Sequence, residues 1–261
     1  MNYWTLRRCL KLQDKEEPVS EEPKDENESL SVDQPIQEEP QEVELMHEFN
    51  FVAFNQDITI LGAKGSGKSY LATHFLQNFH GMTCFVWDMN HQFSDSRSMV
   101  FHNLDDMIEA VKEAKNHPIK CILQDFNKDE SQFRKFCRFV FNYGNCICFL
   151  DELHSYVGKN KMMKEFNDLI LSGRPRGISM ICISSRPASI PNNVLSNTSH
   201  VFAFRLNLES DTEFLESYVG TEVWQLMNQD KRKKMKELPE LEKHSFYYRN
   251  MDETSGVIGK I

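Results

Sequence analysis

The sequence predicts an α/β domain, a three-layer sandwich built on a mainly parallel sheet. Three observations predict it. Short apolar runs alternate with segments of helical period, the signature of parallel strands joined by crossover helices. Cys146-Ile147-Cys148-Phe149-Leu150 is apolar throughout, as expected of a strand covered on both faces. A glycine-rich stretch, Gly62 to Ser69, stands between one such strand and one such helix.

That stretch reads Gly62-Ala63-Lys64-Gly65-Ser66-Gly67-Lys68-Ser69. It fits G-x-x-x-x-G-K-[ST], the phosphate-binding loop of P-loop nucleotidases. Asp57–Leu61 before it reads as a buried strand. Tyr70–Leu76 after it reads as a helix with Leu71, Phe75 and Leu76 on one face. Three glycines let the backbone bend so that several N–H groups converge on one concavity. That nest and the helix N-terminus attract phosphate. The expected nucleotide-binding residues are therefore Gly62, Ala63, Lys64, Gly65, Ser66, Gly67, Lys68, Ser69 and Tyr70. Lys68 supplies a point charge at the β- and γ-phosphates, and Ser69 a hydroxyl for Mg²⁺.

The other elements follow in order. Thr83–Trp87 is a second strand, ending at Asp88-Met89-Asn90-His91-Gln92-Phe93. Asn103–Asn116 is a helix, with Leu104, Met107, Ile108 and Val111 on one face and Pro118 closing it. Ile119–Leu123 is a strand, Ser131–Phe141 a helix, Cys146–Leu150 a strand and Lys161–Leu171 a helix. Ile178–Ile183 and His200–Arg205 are strands, and Asp211–Tyr218 and Glu222–Lys236 helices. Ser245–Tyr248 and Gly256–Ile258 form a β-hairpin. The expected domains are an acidic arm over 1–45, an ATPase domain over 46–236 and a short hairpin extension over 237–261.

Charge is unevenly distributed. Residues 14–44 hold thirteen acids against two lysines, a balance of −11, whereas the whole chain of 261 residues carries −9. The acidity therefore belongs to the arm and does not exclude a DNA partner for the rest. Four prolines and no aromatic residue leave that arm too little to bury, so it is expected to be disordered. Seven cysteines with no C-x-x-C pair read as buried free thiols in a reducing compartment. No apolar run approaches a membrane span of about 20 residues, and the first residues lack the apolar core of a secretory signal.

The second motif is Asp151-Glu152 at the end of the apolar strand. In P-loop enzymes an acid at this place holds Mg²⁺, here Asp151. A second acid beside it polarises the attacking water, here Glu152 as general base, which points to hydrolysis. His154 lacks partners at zinc-ligand spacing and is expected near the surface or behind the site. Leu171-Ser172-Gly173-Arg174-Pro175 follows the second nucleotide motif instead of preceding it, which rejects an ABC-type ATPase. Asn127-Lys128-Asp129-Glu130 misses the guanine-reading N-K-x-D.

Three further stretches carry a family resemblance. Val86-Trp87-Asp88-Met89-Asn90-His91-Gln92-Phe93 and Leu150-Asp151-Glu152-Leu153-His154-Ser155-Tyr156 resemble the strand-end aspartate and acidic motifs of the FtsK/HerA superfamily of P-loop ATPases. Ser172 to Pro191, running on to Phe202-Ala203-Phe204-Arg205-Leu206, is similar to that superfamily's G-R-x-x-G-[IV], apolar strand, S-Q-R-P and F-R-L order. The resemblance covers about residues 50–210 and implies a RecA/ASCE-like P-loop NTPase fold. Ser185 stands where the superfamily usually places a glutamine that senses the γ-phosphate. The resemblance also implies a ring of like subunits with a trans-acting arginine. Arg174 matches that arginine, with Arg176 and Arg205 behind it. Lys231-Arg232-Lys233-Lys234-Met235-Lys236 is a candidate for contact with DNA phosphates.

A single ATPase domain with an acidic arm resembles the layout of genome-packaging ATPases of icosahedral double-stranded DNA viruses. The resemblance implies ATP and Mg²⁺ as cofactors, and double-stranded DNA, other copies of the chain and possible capsid proteins as partners. It implies a place in the host cytoplasm or virion. Two alternatives stand beside it: a cellular or plasmid DNA translocase, and an ATP-binding interaction module with little turnover.

Overall fold

The computed structural model describes residues 56–115, 117–124, 129–219, 244–252 and 257–261. The acidic arm, the segment before the first strand, the helix expected over 222–236 and the basic run within it lie outside these residues. The described strands are β1 (Ile58–Leu61), β2 (Cys84–Trp87), β3 (Ser98–Phe101), β4 (Lys120–Leu123), β5 (Cys146–Leu150), β6 (Ile178–Ser184), β7 (His200–Phe204), β8 (Ser245–Asn250) and β9 (Val257–Lys260). They form one sheet in the order β3-β4-β2-β5-β6-β1-β7-β8-β9. Pairing is parallel from β3 through β7, and the β8–β9 hairpin adds to β7 antiparallel.

Alternation along the strands fills both faces. Ile58, Ile60, Val86, Phe149, Ile181 and Ile183 pack with Leu71, Phe75 and Leu76 of α1 (Lys68–Asn78). Phe85, Trp87, Cys148, Leu150 and Met180 face the other way. There they meet Met107 of α2 (Leu104–Glu113), Phe133, Phe136 and Val140 of α3 (Glu130–Tyr143), and Phe166 and Leu169 of α4 (Lys164–Ser172). Trp87 anchors this layer, with the Phe133 ring 5.3 Å and the Tyr156 ring 5.4 Å away. Such aromatic pairs add about 0.5–1.5 kcal/mol each beyond their buried area. Two further helices, α5 (Asn192–Ser196) and α6 (Glu209–Val219), flank β7 in sequence. The six described cysteines are buried and free, and burial pushes the Cys84 and Cys121 thiols up to about 12.

The helix starts differ in a way that bears on function. Asn103 caps α2 by accepting from Asp105 N at 2.8 Å, and Asp129 caps α3 by accepting from Ser131 N at 2.8 Å. The N-cap of α1 is Gly67, in the left-handed region at φ 112°, and no side chain caps that helix. Its first N–H groups have no intrahelical acceptor and stay open to a ligand.

β3 and α5 depart from the expected pattern. Met99 and Val100 of β3 are exposed at the sheet edge, so no buried run announces it. The five residues of α5 are too few to show a helical period. Among the described residues, no helix is long and apolar enough to cross a membrane.

Candidate active site

The phosphate loop leaves the C-terminal end of β1 and is framed by the backbones of the two flanking strands. Gly62 N donates to Ser184 O at 3.3 Å on the β6 side, and Ala63 N donates to Arg205 O at 2.7 Å just past β7. A side chain at position 62 is excluded, because a Cβ there would lie 2.5 Å from Phe204 Cβ and 2.7 Å from Ser66 Oγ. The loop therefore presses flat against β7. Ser66 Oγ is buried and has no hydrogen-bond partner. Lys68 is 6 % exposed, and its ammonium donates to Ala63 O at 2.9 Å. Burial lowers its pKa, against the pull of Glu152 and Asp151. Lys64 and Tyr70 are exposed, Tyr70 at 61 % on the first turn of α1.

β6 lies between β1 and β5, so two strand spacings separate the phosphate loop from the acidic pair. At about 4.8 Å per spacing that gap is about 10 Å, room for a phosphoryl group and an ion. Asp151 and Glu152 leave the end of β5. Asp151 is 2 % exposed, and its carboxyl is pushed up to about 7 by burial and by the charges of Glu152 and Asp88. Glu152 has a left-handed backbone at φ 46° and ψ 46°, which turns the chain sharply beyond the strand. Ser185 Oγ donates to Glu152 Oε2 at 2.9 Å. His154 Nδ1 lies 3.2 Å from that same oxygen and 3.2 Å from Ser184 Oγ. Burial lowers the His154 pKa, which favours a neutral ring behind the glutamate.

Lys68, Ser69, Asp151, Glu152 and Ser185 thus gather at one rim of the sheet. Arg205 follows β7 on the same rim. Arg174 and Arg176 do not join them. They form a 3₁₀ turn before β6, at the opposite ends of the strands. Seven residues of β6 separate the two rims, about 20 Å at ~3.3 Å per residue. Arg174 Nη2 donates to Ser199 Oγ at 2.8 Å. Arg176 stacks on Phe141, 4.6 Å from the ring centre, and donates to Phe141 O at 2.7 Å.

Two side chains that sequence reasoning left without a role also reach the site. Asn90 Nδ2 donates to Asp151 Oδ2 at 3.3 Å, and Ser69 Oγ donates to Gln92 Oε1. Both stood inside a quoted motif. Their spacing alone gave no sign that the sheet order sets β2 beside β5.

A chain with a glycine-framed phosphate loop on β1 and an acidic pair on β5 is a P-loop NTPase by construction. Residues 58–206, from β1 to just past β7, match the ATPase family associated with various cellular activities (AAA), and the chain belongs to that family. It is an ATPase of the class the two motifs implied. Among its relatives is the DNA packaging ATPase P9 of Enterobacteria phage PRD1. It is 22 % identical over 211 residues, 74 % of this chain and 82 % of P9. The genome packaging NTPase B204 of Sulfolobus turreted icosahedral virus 2, solved with ATP-gammaS, has the same fold. Its TM-score is 0.61 at 18 % identity, over 79 % of this chain and 97 % of B204. B204 of Sulfolobus turreted icosahedral virus gives 0.56 at 18 % identity, over 79 % and 97 %.

Proposed function

We propose that this ATPase moves double-stranded DNA and packages a viral genome. The observation that carries this reading is the match to P9, which spans 82 % of that DNA packaging ATPase. The residues gathered at the rim support this reading, each with a role in ATP hydrolysis. Backbone N–H groups of the loop and of the uncapped α1 receive the phosphates. Lys68 leaves Ala63 O for the β- and γ-phosphate oxygens. Glu152 accepts the proton as water attacks the γ-phosphorus and the bond to the β-phosphate oxygen breaks.

The donor set also fits Mg²⁺. Ser69 Oγ and an Asp151 carboxylate oxygen are hard oxygen ligands, with the side-chain amides of Asn90 and Gln92 beside them. No cluster of three or more His, Cys, Asp or Glu suited to another metal occurs among the described residues. Ser69 and Asp151 would hold the ion, which would supply positive charge beside the phosphates. Asp151 would serve the ion as a carboxylate, the form that a neighbouring dication would favour.

Arg174 acts in trans in this reading. Its place about 20 Å from its own phosphate loop keeps it from serving in cis. Its exposure, with an anchoring hydrogen bond to Ser199 Oγ at the surface, favours reach to a neighbouring copy in a ring. Arg176 is the poorer candidate, since it is stacked and bonded to its own backbone. Capsid proteins are the proposed partners of the acidic arm, in the host cell or at the virion.

Displacement of a third DNA strand from a triplex tests translocation directly. ATP-dependent displacement by the full chain, absent with Lys68→Ala, is expected. ATP turnover without displacement would leave an ATPase that does not move DNA.

A further inference from the structure

The loop after β2 is built as a rigid bracket with two amides on its free side. Asp88 is fully buried. Its Oδ1 accepts from Gln92 N at 3.0 Å, and its Oδ2 accepts from Phe93 N at 3.1 Å and from Gln124 Nε2 at 3.3 Å. Phe93 is buried beneath the loop, with its ring 5.9 Å from that of Phe149 on β5. His91 turns the chain through the left-handed region at φ 55°. A buried carboxylate and a buried ring thus fix both ends of the loop, while Asn90 and Gln92 are exposed. Their heads are not directed at random. Asn90 contacts Asp151 and Gln92 contacts Ser69, the two groups assigned to the ion.

We infer that Asn90 and Gln92 hold the water shell of the Mg²⁺ ion that accompanies ATP. The inference rests on the ion site at Ser69 and Asp151 proposed above. Mg²⁺ sheds its waters reluctantly and is bound through few protein ligands, so most of its first shell is water. Those waters need oriented acceptors. Neutral amides provide them without adding negative charge next to two carboxylates. Each head lies beside one of the two proposed inner ligands, and the Asp88 bracket fixes the loop that carries them. Outer partners of this kind typically change metal affinity 10–100-fold.

A simpler account makes an opposite prediction. If the amides only satisfy Ser69 and Asp151 while no ion is present, they compete with the ion, and their removal tightens it. The experiment is a Mg²⁺ titration of AMPPCP binding by calorimetry, using the full chain and its Asn90→Ala and Gln92→Ala variants. Raised half-saturating Mg²⁺, about 10–100-fold, with AMPPCP affinity in EDTA unchanged, is expected. Both side chains are exposed, so thermal unfolding should report an intact fold; Asn90→Ser and Gln92→Ser serve as second variants. An unchanged or lowered half-point in folded variants overturns the amide assignment alone. Wild-type AMPPCP binding that is indifferent to Mg²⁺ overturns the ion site as well.

Discussion

The two rims of the sheet handle charged side chains in different ways. At the rim of the C-terminal strand ends, each group proposed for the reaction rests on a polar partner: Lys68 on Ala63 O, Ser69 on Gln92, Asp151 on Asn90, Glu152 on Ser185. At the opposite rim, Arg176 is clamped by a ring and a carbonyl, and Asp57 accepts from Met180 N at 2.9 Å, buried beside Arg174. The first rim is poised to rearrange around a ligand. The second is a fixed frame on which Arg174 is exposed and bonded to Ser199 Oγ. The proposed trans action of Arg174 would draw on both properties, a site that adapts and an edge that does not.

Breaking the fixed edge at Arg174 should have the largest effect. Arg174→Ala is expected to lower ATP turnover by about 10³–10⁵, whereas Arg176→Ala should act mainly on thermal stability. Mixing Arg174→Ala with Lys68→Ala subunits should restore part of the activity, because some interfaces then pair an intact loop with an intact arginine. No recovery in mixed assemblies would place the arginine's action within one subunit.

On the adaptable rim, Glu152→Gln is expected to reduce kcat by about 10²–10⁴ while ATP still binds. A fluorescent nucleotide titration beside a phosphate-release assay separates the two. His154→Ala should cost less, about tenfold or under, since the ring only orients Glu152. Its signature is a changed pH profile of kcat, with recovery in His154→Asn.

The smallest effect sharpens the frame. Burial raises the Asp57 carboxyl from 3.8 to about 6. The folded state therefore favours the protonated acid. That contribution to stability is complete below pH 3.8 and is lost as pH rises through about 6. Asp57→Asn keeps an acceptor for Met180 N and removes the charge. It should stabilise the protein by about 2 kcal/mol at pH 7.5, roughly 5 °C in Tm, and by little at pH 4. Equal shifts at both pH values would show that the charge is not the cause.

The two rims were not equally legible in the sequence. The loop from Gly62 to Ser69 and the pair Asp151-Glu152 are local patterns, and local patterns survive translation into structure. The hairpin was also visible, as β8 and β9 now show. The contacts of Asn90 and Gln92 were not. They arise from the order β2-β5-β6-β1, a long-range pairing that no window of sequence contains. Arg174 and Arg176 look alike two residues apart. Their contacts separate them: Phe141 holds Arg176, and Ser199 holds Arg174.

The most direct test is steady-state ATP hydrolysis by the full chain with and without long double-stranded DNA, for the wild type and Glu152→Gln. A DNA-driven motor predicts turnover that rises with DNA in the wild type and disappears in the variant. Slow wild-type turnover that ignores DNA would contradict it, and would make this an ATP-binding module whose Glu152 stays held by Ser185.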